Sequence, residues 1–556
     1  MTSHKKTKTY RFLEMAPALA TWLTFAGAAV LSYLTPTVVA FYIILFDLYW
    51  VLKAINTAMH LLSSFIKLRL HARYDWWQRC SMLLDIEDYK RQLRRDIMTG
   101  ASRRSRNDLK QELVRLDRLD FSHRLHDFRK IYHLVILPTY KESLTVLDSS
   151  IRSILDSDFP TKQIFFVLAT EERDRLRAED HSEILRQRYG DKFFRFETVM
   201  HPDGLPGEIK AKGANLTYAG RFALKAVGEL KISIDHVIVS AFDSDTVVSS
   251  NYFSYLTYAF LTAEKPHRTS YQPMPVYNNN IWDAPAITRI VAIANSFWQM
   301  VEASRPDRLV TFSSHALSLR ALVEVDFWPV DVISDDSQIF WRCWLHYHGD
   351  YRTIPIFTTV SLDAMLDVTY VKTLIGQYKQ KRRWAWGNSE NIPYLVTNSV
   401  HDHLIPWWKK LIYIERMVEG YYFWATASIM IASLGWLPLI LGGDRLVGSV
   451  LLFNLPFLTR FMMQVATVFL IFSVYINLVM IPPRPKNYSR WRTFNMVLQW
   501  VFVPVVSIFF GSAPAIDAQT RMMFGRYLGF WVTPKTRLGR IENPALIFQK
   551  ERKRDV

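Results

Sequence analysis

The sequence predicts an α/β domain framed by α-helical membrane segments, and three observations support this fold class. Half of the 556 residues are hydrophobic, yet the mean hydropathy is only +0.01. The chain is therefore too apolar for an ordinary soluble protein and too charged for one wholly buried in lipid. Long apolar runs lie towards both ends, and a charged segment between them alternates strand and helix patterns. That alternation predicts a parallel, doubly wound sheet.

The charge and cysteine content exclude several classes of function. The net charge of +17 suggests nucleic acid as a partner, but Lys and Arg accumulate in the cytoplasmic loops of membrane proteins, and this explains the excess without nucleic acid. The two cysteines, Cys80 and Cys343, are far apart and adjoin no second thiol or His cluster. They support neither a disulfide framework nor structural zinc, and are compatible with a reducing compartment.

The amino-terminal segment is predicted to be an uncleaved helical hairpin. Basic residues precede an apolar run over 15–34, and a second run covers 38–62, which places the amino terminus in the cytoplasm. The second run carries two charges that are costly in lipid, Asp47 and Lys53. Lys53 can extend to the cytoplasmic surface, whereas Asp47 is either partnered by another helix or faces a polar conduit.

The segment 66–130 is dense in charge and has leucines at helical spacing. These are Leu109, Leu113, Leu116 and Leu119. The pattern predicts helices along a basic membrane face, with a structural role.

The middle of the chain predicts successive strands over about 131–137, 163–168 and 194–200, then one ending at Asp243. A helix is predicted to open near Ala214. Ligands of such sheets bind at the carboxyl ends of the strands. The candidate residues at those ends are Thr139, Tyr140, Glu142, Glu171, Lys212, Asp243 and Asp245.

Asp243 and Asp245 form the centre of the predicted site. Residues i and i+2 of a strand point the same way, so both carboxylates can meet one hard cation, Mg²⁺ or Mn²⁺. A polar turn after a strand is the alternative. Lys212, beside a helix amino terminus, suits a diphosphate, although a surface lysine is the commoner case.

A second acidic pair, Asp335 and Asp336, follows Ser334 about ninety residues later. Two separate carboxylate groups permit two tasks, metal binding and acceptance of a proton from an attacking hydroxyl. A helix N-cap is the alternative.

Further along the chain, Gln380-Lys-Arg-Arg383-Trp384 combines an arginine that can clamp a leaving diphosphate with an indole that can stack on a sugar. Read alone, a basic aromatic interfacial helix explains it equally well.

Five motifs in this order resemble the processive family-2 glycosyltransferases, which include cellulose, chitin and hyaluronan synthases. The motifs are Pro138-Thr-Tyr-Lys-Glu142, Lys212-Gly-Ala-Asn215, Asp243-Ser-Asp245, Ser334-Asp-Asp336 and Gln380-Lys-Arg-Arg383-Trp384. The resemblance covers roughly residues 130 to 540. It implies a cytosolic, Rossmann-like GT-A domain framed by transmembrane and interfacial helices.

The resemblance also assigns roles to the candidate residues. Asp336 becomes the catalytic base, and Asp243 and Asp245 bind the donor nucleotide and its cation. Glu142 and Glu171 are expected to hold the nucleotide. Gln380, Arg383 and Trp384 are expected at the acceptor terminus and the diphosphate.

Phe530-Trp-Val-Thr533-Pro-Lys535 matches the F-x-V-T-x-K gating loop of cellulose synthase-like enzymes, with Phe530, Val532, Thr533 and Lys535 as the matching residues. An amphipathic interfacial tail is the alternative. The chain departs from the family pattern in three places: Asp335 replaces the usual glutamate, Ala169-Thr-Glu-Glu172 replaces an aspartate-rich turn, and Thr311-Phe-Ser-Ser-His315 lacks the cysteine of the F-F-C-G stretch. The missing cysteine leaves the sugar unassigned.

Apolar runs near the carboxyl terminus predict a span over 421–441, two spans joined by a hairpin at Arg460 within 447–481, and a last span over 496–510. This gives six spans and puts the basic loop after 481 outside, with a re-entrant last segment as the alternative. The predicted division of the chain is a hairpin (1–64), a helical linker (65–130), the GT-A domain (131–400), interfacial and membrane helices (401–512), and an interfacial helix, gating loop and tail (513–556).

These features predict a multi-pass membrane enzyme with a cytoplasmic catalytic domain. We expect it to be an inverting, Mg²⁺- or Mn²⁺-dependent transferase that extends a polysaccharide from a nucleotide sugar, with a UDP-hexose as the expected donor, and moves the product across the bilayer. Accessory export subunits are compatible with this role, and nucleic acid is not an expected partner. The alternatives are a non-processive transferase acting on a lipid-linked acceptor, and a transport or scaffold protein with a degenerate domain.

Overall fold

The computed structural model describes residues 7–99, 102–121, 127–434, 436–442, 450–486, 488–529, 531–534 and 536–537. At its centre is one eight-stranded mixed sheet with the order β3-β2-β1-β4-β7-β6-β8-β5. The strands are β1 Tyr132–Pro138, β2 Ile164–Glu171, β3 Arg195–His201, β4 Val237–Ala241, β5 Val247–Val248, β6 Thr269–Tyr277, β7 Ala316–Ser318 and β8 Arg352–Leu362.

The first half of the sheet confirms the predicted parallel arrangement. β1 pairs in parallel with β2 and β4, and β2 pairs in parallel with β3. The second half is different: β7 is antiparallel to both β4 and β6, and β5 is antiparallel to β8. The prediction of a wholly parallel sheet is therefore wrong for the second half. The parallel half still brings the carboxyl ends of β1, β2 and β4 to one edge.

Helices cover both faces of the sheet, as expected for strands buried on both sides. The amino-terminal helices are α1 Lys8–Leu34, α2 Pro36–His71, α3 Trp76–Met82, α4 Ile86–Met98 and α5 Arg103–Asp117. The helices of the sheet domain are α6 Leu144–Leu155, α7 Arg175–Tyr189, α8 Lys212–Glu229, α9 Tyr252–Leu261, α10 Ala286–Ala303, α11 Leu319–Glu324, α12 Asp335–His346 and α13 Tyr370–Ser399. One core lies between the sheet and α8, α11 and α12, and the other joins the sheet to α6 and α9.

The linker helices α3–α5 pack into the second core. Trp76 stacks on Tyr255 of α9, with ring centroids 3.7 Å apart and planes 5° apart. The buried carboxylate of Glu112 accepts a hydrogen bond from Tyr89, 2.5 Å away, and pairs with Arg79 at 2.5 Å. The linker, predicted from its leucine spacing to be helical, thus supports the catalytic domain directly.

The carboxyl-terminal helices are α14 Trp407–Ser433, α15 Leu437–Leu441, α16 Val450–Met480, α17 Arg490–Leu498, α18 Val503–Ser507 and α19 Ala513–Met523. In the described part of the chain, three stretches are long and apolar enough to cross a membrane. They are Lys8–Leu34, Pro36–His71 and Arg490–Met523.

The two charges of the second helix both have partners. Thr459 of α16 donates a hydrogen bond of 2.9 Å to Asp47. Of the two alternatives for Asp47, a partner on another helix or a polar conduit, the structure shows the partner. Lys53 forms an ion pair with Glu419 of α14, whereas the sequence suggested that it reaches the membrane surface. These contacts tie α2 to α14 and α16.

The hairpin predicted at Arg460 is wrong, because α16 runs without a break from Val450 to Met480. Its final residues pack on the catalytic core. The loop that follows also contacts the catalytic domain, since Trp282 donates to the carbonyl of Pro482 and Tyr488 donates to Asp283. The basic loop therefore lies on the side of the catalytic domain rather than on the opposite side.

Candidate active site

The loop after β1 and the end of β2 form one side of the cleft. The Glu142 carboxylate folds back on its own loop, where it accepts hydrogen bonds from Thr139 Oγ1 at 2.9 Å and from the backbone N–H of Tyr140 at 2.6 Å. Thr139, Glu142 and Glu171 line one small cavity. The Tyr140 ring lies 4.1 Å beneath the guanidinium of Arg173. These four predicted donor-binding residues are thus brought to one edge of the sheet.

Glu171 is buried and held by two basic groups. Arg173 Nε lies 3.2 Å from its Oε2, and His201 Nδ1 lies 3.4 Å from the same oxygen. His201 Nε2 lies 2.8 Å from Glu208. Burial alone lowers the pKa of His201, but its hydrogen bonds to Glu171 and Glu208 outweigh burial and raise that pKa. This bridge fastens the loop before Lys212 to the end of β2.

The acidic centre joins residues that are far apart in sequence. Lys212 Nζ donates to Asp243 Oδ1 at 2.7 Å and to Asp336 Oδ1 at 2.9 Å. Burial lowers the pKa of Lys212, but the charges of Asp243, Asp336 and Asp335 outweigh burial and raise that pKa. The lysine stays cationic between the predicted metal-binding aspartate and the predicted base.

Gly213 lets the first turn of α8 approach the acidic pair. A Cβ atom at this position would lie 2.3 Å from the carbonyl oxygen of Pro329 and 2.9 Å from Asp335 Cβ. No side chain fits there. The amino terminus of α8, where unpaired N–H groups favour anions, consequently lies against the segment that carries Asp335 and Asp336.

The two adjacent aspartates have different environments. Asp335 is 3% exposed, and burial, followed by the charge of Asp336, raises its pKa well above the ordinary value. The Asp336 side chain is 28% exposed and opens on the cleft. Asp336 is therefore the carboxylate that can meet an acceptor hydroxyl. Although both aspartates lie in the first turn of α12, Ser334 makes no side-chain cap hydrogen bond there.

The start of α12 is positioned by α13. Glu390 accepts hydrogen bonds from Ser334 Oγ at 3.0 Å and from the backbone N–H of Ile333 at 3.1 Å. At Gly387 a Cβ atom would lie 2.9 Å from Ser334 Cβ, so the two segments meet closely. The helix that carries the Gln380–Trp384 motif thus also fixes the approach of Asp336 to the cleft.

The segment 311–315, which lacks the expected cysteine, still belongs to the site. Ser313 Oγ donates to Asp243 Oδ2 at 2.5 Å, and Thr311 Oγ1 donates to the carbonyl of Asp336 at 2.7 Å. His315 is fully buried 3.7 Å from Asp336 Oδ1, and burial lowers its pKa. The loop thereby positions both aspartates through hydroxyl groups and a neutral imidazole.

Asp245 is buried and held by the end of β8. Its Oδ2 accepts a hydrogen bond of 2.8 Å from the backbone N–H of Asp363. The Asp363 side chain is 1% exposed and pairs with Arg537, whose Nη2 lies 2.7 Å from Asp363 Oδ1. Arg537 Nη2 also lies 3.5 Å from the carbonyl of Asp245. A segment near the carboxyl terminus thus reaches the predicted metal-binding strand.

The carboxylates at this edge suit a hard cation whose other ligands come from a substrate. Among the described residues there is no group of three or more His, Cys, Asp or Glu side chains suited to a metal ion. Asp243 and Asp245 supply two carboxylates, and Mg²⁺ in nucleotide sites is commonly held by one or two carboxylates together with substrate phosphates. The residues present therefore fit Mg²⁺ or Mn²⁺ bound together with a nucleotide diphosphate.

Helix α13 brings its motif to the same cleft. Burial lowers the pKa of Arg383, and the charges of Asp243, Asp335 and Asp336 oppose that shift, which places its guanidinium beside the acidic centre. Trp384 packs against Tyr277 at the end of β6, with ring centroids 6.0 Å apart. Burial, and then the charges of Asp243 and Asp245, raise the pKa of Tyr277.

Part of the predicted gating loop lies over α13. Gln380 Nε2 is 3.5 Å from Thr533 Oγ1. The Trp531 ring lies 5.7 Å from Lys379 Nζ and borders Gly376, where a Cβ atom would be 3.3 Å from the indole. Val532 lies between these two contacts. Phe530 and Lys535 are outside the described residues, so their predicted roles stay predictions.

A comparison of the sequence with protein families decides the class of this site. Residues 238–485 match the family described as "Glycosyl transferase family group 2". This match, which covers just under half of the chain, identifies the enzyme as a glycosyltransferase. The matched range contains Asp243, Asp245, Asp336 and the Gln380–Trp384 motif, and the glycosyltransferase has the GT-A type of fold that the motifs implied.

Several solved structures are similar to the glycosyltransferase at low identity. The mannosyltransferase PcManGT from Pyrobaculum calidifontis, in complex with GDP-Man and Mn²⁺, shares 12% identity at a TM-score of 0.36, over 85% of this chain and 99% of that chain. TarS from S. aureus in complex with UDP shares 12% at 0.32, over 62% and 91%. GalNAc-T7 with UDP, GalNAc and Mn²⁺ shares 10% at 0.31, over 52% and 58%. No curated protein matches the chain.

Four residues that contact the candidate site were missed by sequence reasoning: Tyr277, Ser313, Asp363 and Arg537. Tyr277 ends β6 and Asp363 directly follows β8. The rule that ligands bind at strand ends, which located Asp243, could therefore have found both. Ser313 was part of a segment considered only for its missing cysteine. Arg537 follows the gating motif by two residues, and nothing in the local sequence pairs it with a carboxylate 174 positions away.

Proposed function

We propose that this protein is a membrane-embedded, inverting glycosyltransferase that extends a glycan from a nucleotide-sugar donor. The observation that carries the proposal is the Lys212 ammonium, which hydrogen bonds to Asp243 and Asp336 in one cleft. It joins a predicted cation-binding carboxylate to a cleft-facing carboxylate that can act as a base. A degenerate scaffold domain has no reason to retain a buried lysine between two acids with Arg383 beside them.

Donor binding is assigned to the edge formed by β1, β2 and β4. Thr139, Tyr140, Glu142 and Glu171 surround the place for the nucleoside. Lys212 uses two of its three N–H donors on Asp243 and Asp336, and the third can reach a diphosphate oxygen. Asp243 and Asp245 would hold Mg²⁺ or Mn²⁺, which when bound neutralises charge on the diphosphate.

Transfer follows from the position of Asp336. The acceptor hydroxyl gives its proton to Asp336 as its oxygen attacks the anomeric carbon, and the bond from that carbon to the diphosphate breaks. In-line attack inverts the anomeric configuration. Negative charge develops on the leaving diphosphate, where Lys212 and Arg383 stabilise it more strongly in the transition state than in the ground state. Trp384 supplies an apolar face for the acceptor sugar.

Residues 531–534 and 536–537 are assigned the role of a lid over the donor. Thr533 lies at Gln380, and the Arg537 ion pair fixes the far end of the segment beside Asp245. A closed lid excludes water, which strengthens electrostatic contacts and limits hydrolysis of the donor. We expect the lid to open for release of the nucleotide.

The membrane helices support the proposal that the product crosses the bilayer. α13 packs against α1, α14 and α19, so the acceptor motif lies directly on the membrane helices. Processive synthesis of a UDP-hexose polymer is the form of the proposal that the motif resemblance favours. A single transfer to a lipid-linked acceptor remains the second candidate, because the same contact would also bring a lipid carrier to Trp384.

Purified protein in nanodiscs, incubated with a panel of radiolabelled UDP-, GDP- and ADP-sugars, tests the proposal. We expect Mg²⁺- or Mn²⁺-dependent release of nucleotide from at least one donor, with the label in a polymer whose length grows with time. Label confined to a lipid of fixed size supports the second candidate. Absence of nucleotide release from every donor, while the protein remains folded, would contradict the proposal.

A further inference from the structure

Lys381 occupies a half-buried site between three helices. Its Nζ lies 4.6 Å from the ring of Trp424 on α14 and 5.3 Å from the ring of Trp384 on its own helix. The same atom lies 3.3 Å from Asn295 Oδ1 on α10. Two indole faces and one amide oxygen therefore surround the ammonium group.

The other basic residues of this part of α13 are already engaged. Arg382 Nη1 lies 2.8 Å from Asp517 on α19, and that carboxylate also binds Arg521. Lys379 lies over the Trp531 ring, and Arg383 faces the acidic centre. Within the described part of the chain, Lys381 forms no ion pair, and no acidic group offsets the effect of its burial.

Burial without a counter-charge disfavours a cation. Loss of hydration lowers the pKa of Lys381 to about 8. Contact with aromatic faces compensates in part, since a desolvated cation–π contact stabilises the ammonium. A neutral side chain of similar length would fill this space without the desolvation cost. The charge therefore indicates a ligand that enters the site and interacts with the ammonium group.

The position of Lys381 relates it to the acceptor rather than to the donor. Trp384, the residue assigned to the acceptor sugar, contacts Lys381 as well as Tyr277 at the end of β6. Trp424 extends the site onto α14, a helix that packs against α1 and α13. An acceptor stacked on Trp384 would therefore place its next unit, or its carrier, close to the ammonium group.

We propose that Lys381, between Trp384 and Trp424, binds an oxyanion carried by the acceptor, so that this transferase acts on an acidic acceptor. The proposal rests on the proposed function, because it presumes that Trp384 holds the acceptor. The same chemistry has two sources, a carboxylate on a uronate unit of the growing glycan or a phosphate of a lipid carrier. With one N–H directed at Asn295 Oδ1, the ammonium keeps two N–H donors, which suit either group.

Three acceptors, matched in concentration, test the proposal with whichever donor the panel of nucleotide sugars identifies: a uronate-containing oligosaccharide, a polyprenyl phosphate and a neutral oligosaccharide. We expect one of the two anionic acceptors to be extended with a kcat/KM at least about tenfold above that of the neutral one. Which acceptor is extended distinguishes the two sources. Lys381→Gln should reduce this preference at least about tenfold through the acceptor KM, the loss expected for a charged hydrogen bond.

Lys381→Arg should keep most of the preference, because it retains the cation and the contact with the indoles. Lys372→Gln is the matched control: this lysine is exposed in the first turn of α13, and its removal should leave the preference unchanged.

The proposal is contradicted if the neutral acceptor is extended equally well, or if Lys381→Gln keeps the full anionic preference. Nucleotide release by the parent protein, measured in parallel, reports on the proposed function separately, since an enzyme that uses the donor but prefers neutral acceptors refutes only this inference.

Discussion

The ion pair between Arg537 and Asp363 gives the sharpest prediction about the lid. Both side chains are almost completely buried, at 9% and 1% exposure, and two short contacts join them, Nη2 to Oδ1 at 2.7 Å and Nε to Oδ2 at 3.0 Å. Charged hydrogen bonds contribute about 1.5–3 kcal/mol each. Asp363 retains a hydrogen bond from Asn279, so we expect Arg537→Gln to weaken the closed state by about 2 kcal/mol, or roughly thirtyfold.

The assay is a double-mutant cycle on kcat/KM for the donor, with Arg537→Gln, Asp363→Asn and the double variant. If the lid must close for transfer, the coupling energy should be about 2 kcal/mol, because removal of either partner leaves the other buried without its counter-charge. The loss should also be larger for transfer than for binding of the free nucleotide.

Arg221 and Asp326 provide a control pair of the same residue types. Their side chains are 53% and 71% exposed at a separation of 2.8 Å, so the corresponding cycle should give at most about 1 kcal/mol, the usual limit for a surface pair. A coupling energy below about 0.5 kcal/mol between Arg537 and Asp363 would refute the claim that this ion pair holds the lid closed, since that value is the ordinary error of additivity.

Three further predictions concern the metal site, the packing at Gly213 and the charge of His201. EDTA should abolish transfer and Mg²⁺ or Mn²⁺ restore it, whereas Asp245→Ala should resist rescue; full activity after chelation would remove the metal role. Gly213→Ala should unfold the first turn of α8 or inactivate the enzyme, because its Cβ would lie 2.3 Å from Pro329 O; a normal Tm with normal activity would contradict this packing. The raised pKa of His201 means that its charged form stabilises the fold fully below about 6.5, the ordinary pKa, and progressively less as pH rises through the folded pKa. His201→Gln should therefore lower the Tm more at pH 6 than at pH 9, and an equal loss at both values would exclude a charged His201.

The parts of the site that sequence could predict are those that follow from topology. Lys212, Asp243 and Asp336 each stand at a strand end or a helix start that the doubly wound pattern directs to one edge. The contacts of 2.7 and 2.9 Å were not predicted, because Lys212 was expected to bind a diphosphate, but the pattern and the motif order do bring the three residues to one cleft. The same holds for Glu142, which follows β1 directly.

The parts that sequence missed depend on long-range pairing. β7 has only three residues, too few for a period-two pattern, so its antiparallel pairing could not be anticipated. Asp363 and Arg537 become partners because β8 ends beside Asp245 and the chain returns to this place 174 residues later. Neither residue has a local pattern that distinguishes it from a surface charge.

The hairpin at Arg460 was predicted wrongly because two residues were interpreted as a break between two helices. Pro456 and Arg460 suggested a hairpin, but Pro456 lies inside a continuous α16, as prolines in membrane helices often do. Arg484 and Lys486 indicated the same side as the catalytic domain, and the contacts of Pro482 and Tyr488 agree with that indication. The span count, and not the charge rule, was at fault.

The central claim is that Asp336 removes the acceptor proton, and a comparison of two amide variants tests it most directly. Asp336→Asn keeps the shape but cannot accept the proton, so transfer should fall at least about 100-fold while the nucleotide still binds. Asp335 is buried with a raised pKa, so its amide resembles the neutral acid, and Asp335→Asn should lose less than about tenfold. Measured as kcat for sugar transfer by both variants in the same nanodiscs, that order supports Asp336 as the base; retained transfer by Asp336→Asn, or a greater loss in Asp335→Asn, would contradict it.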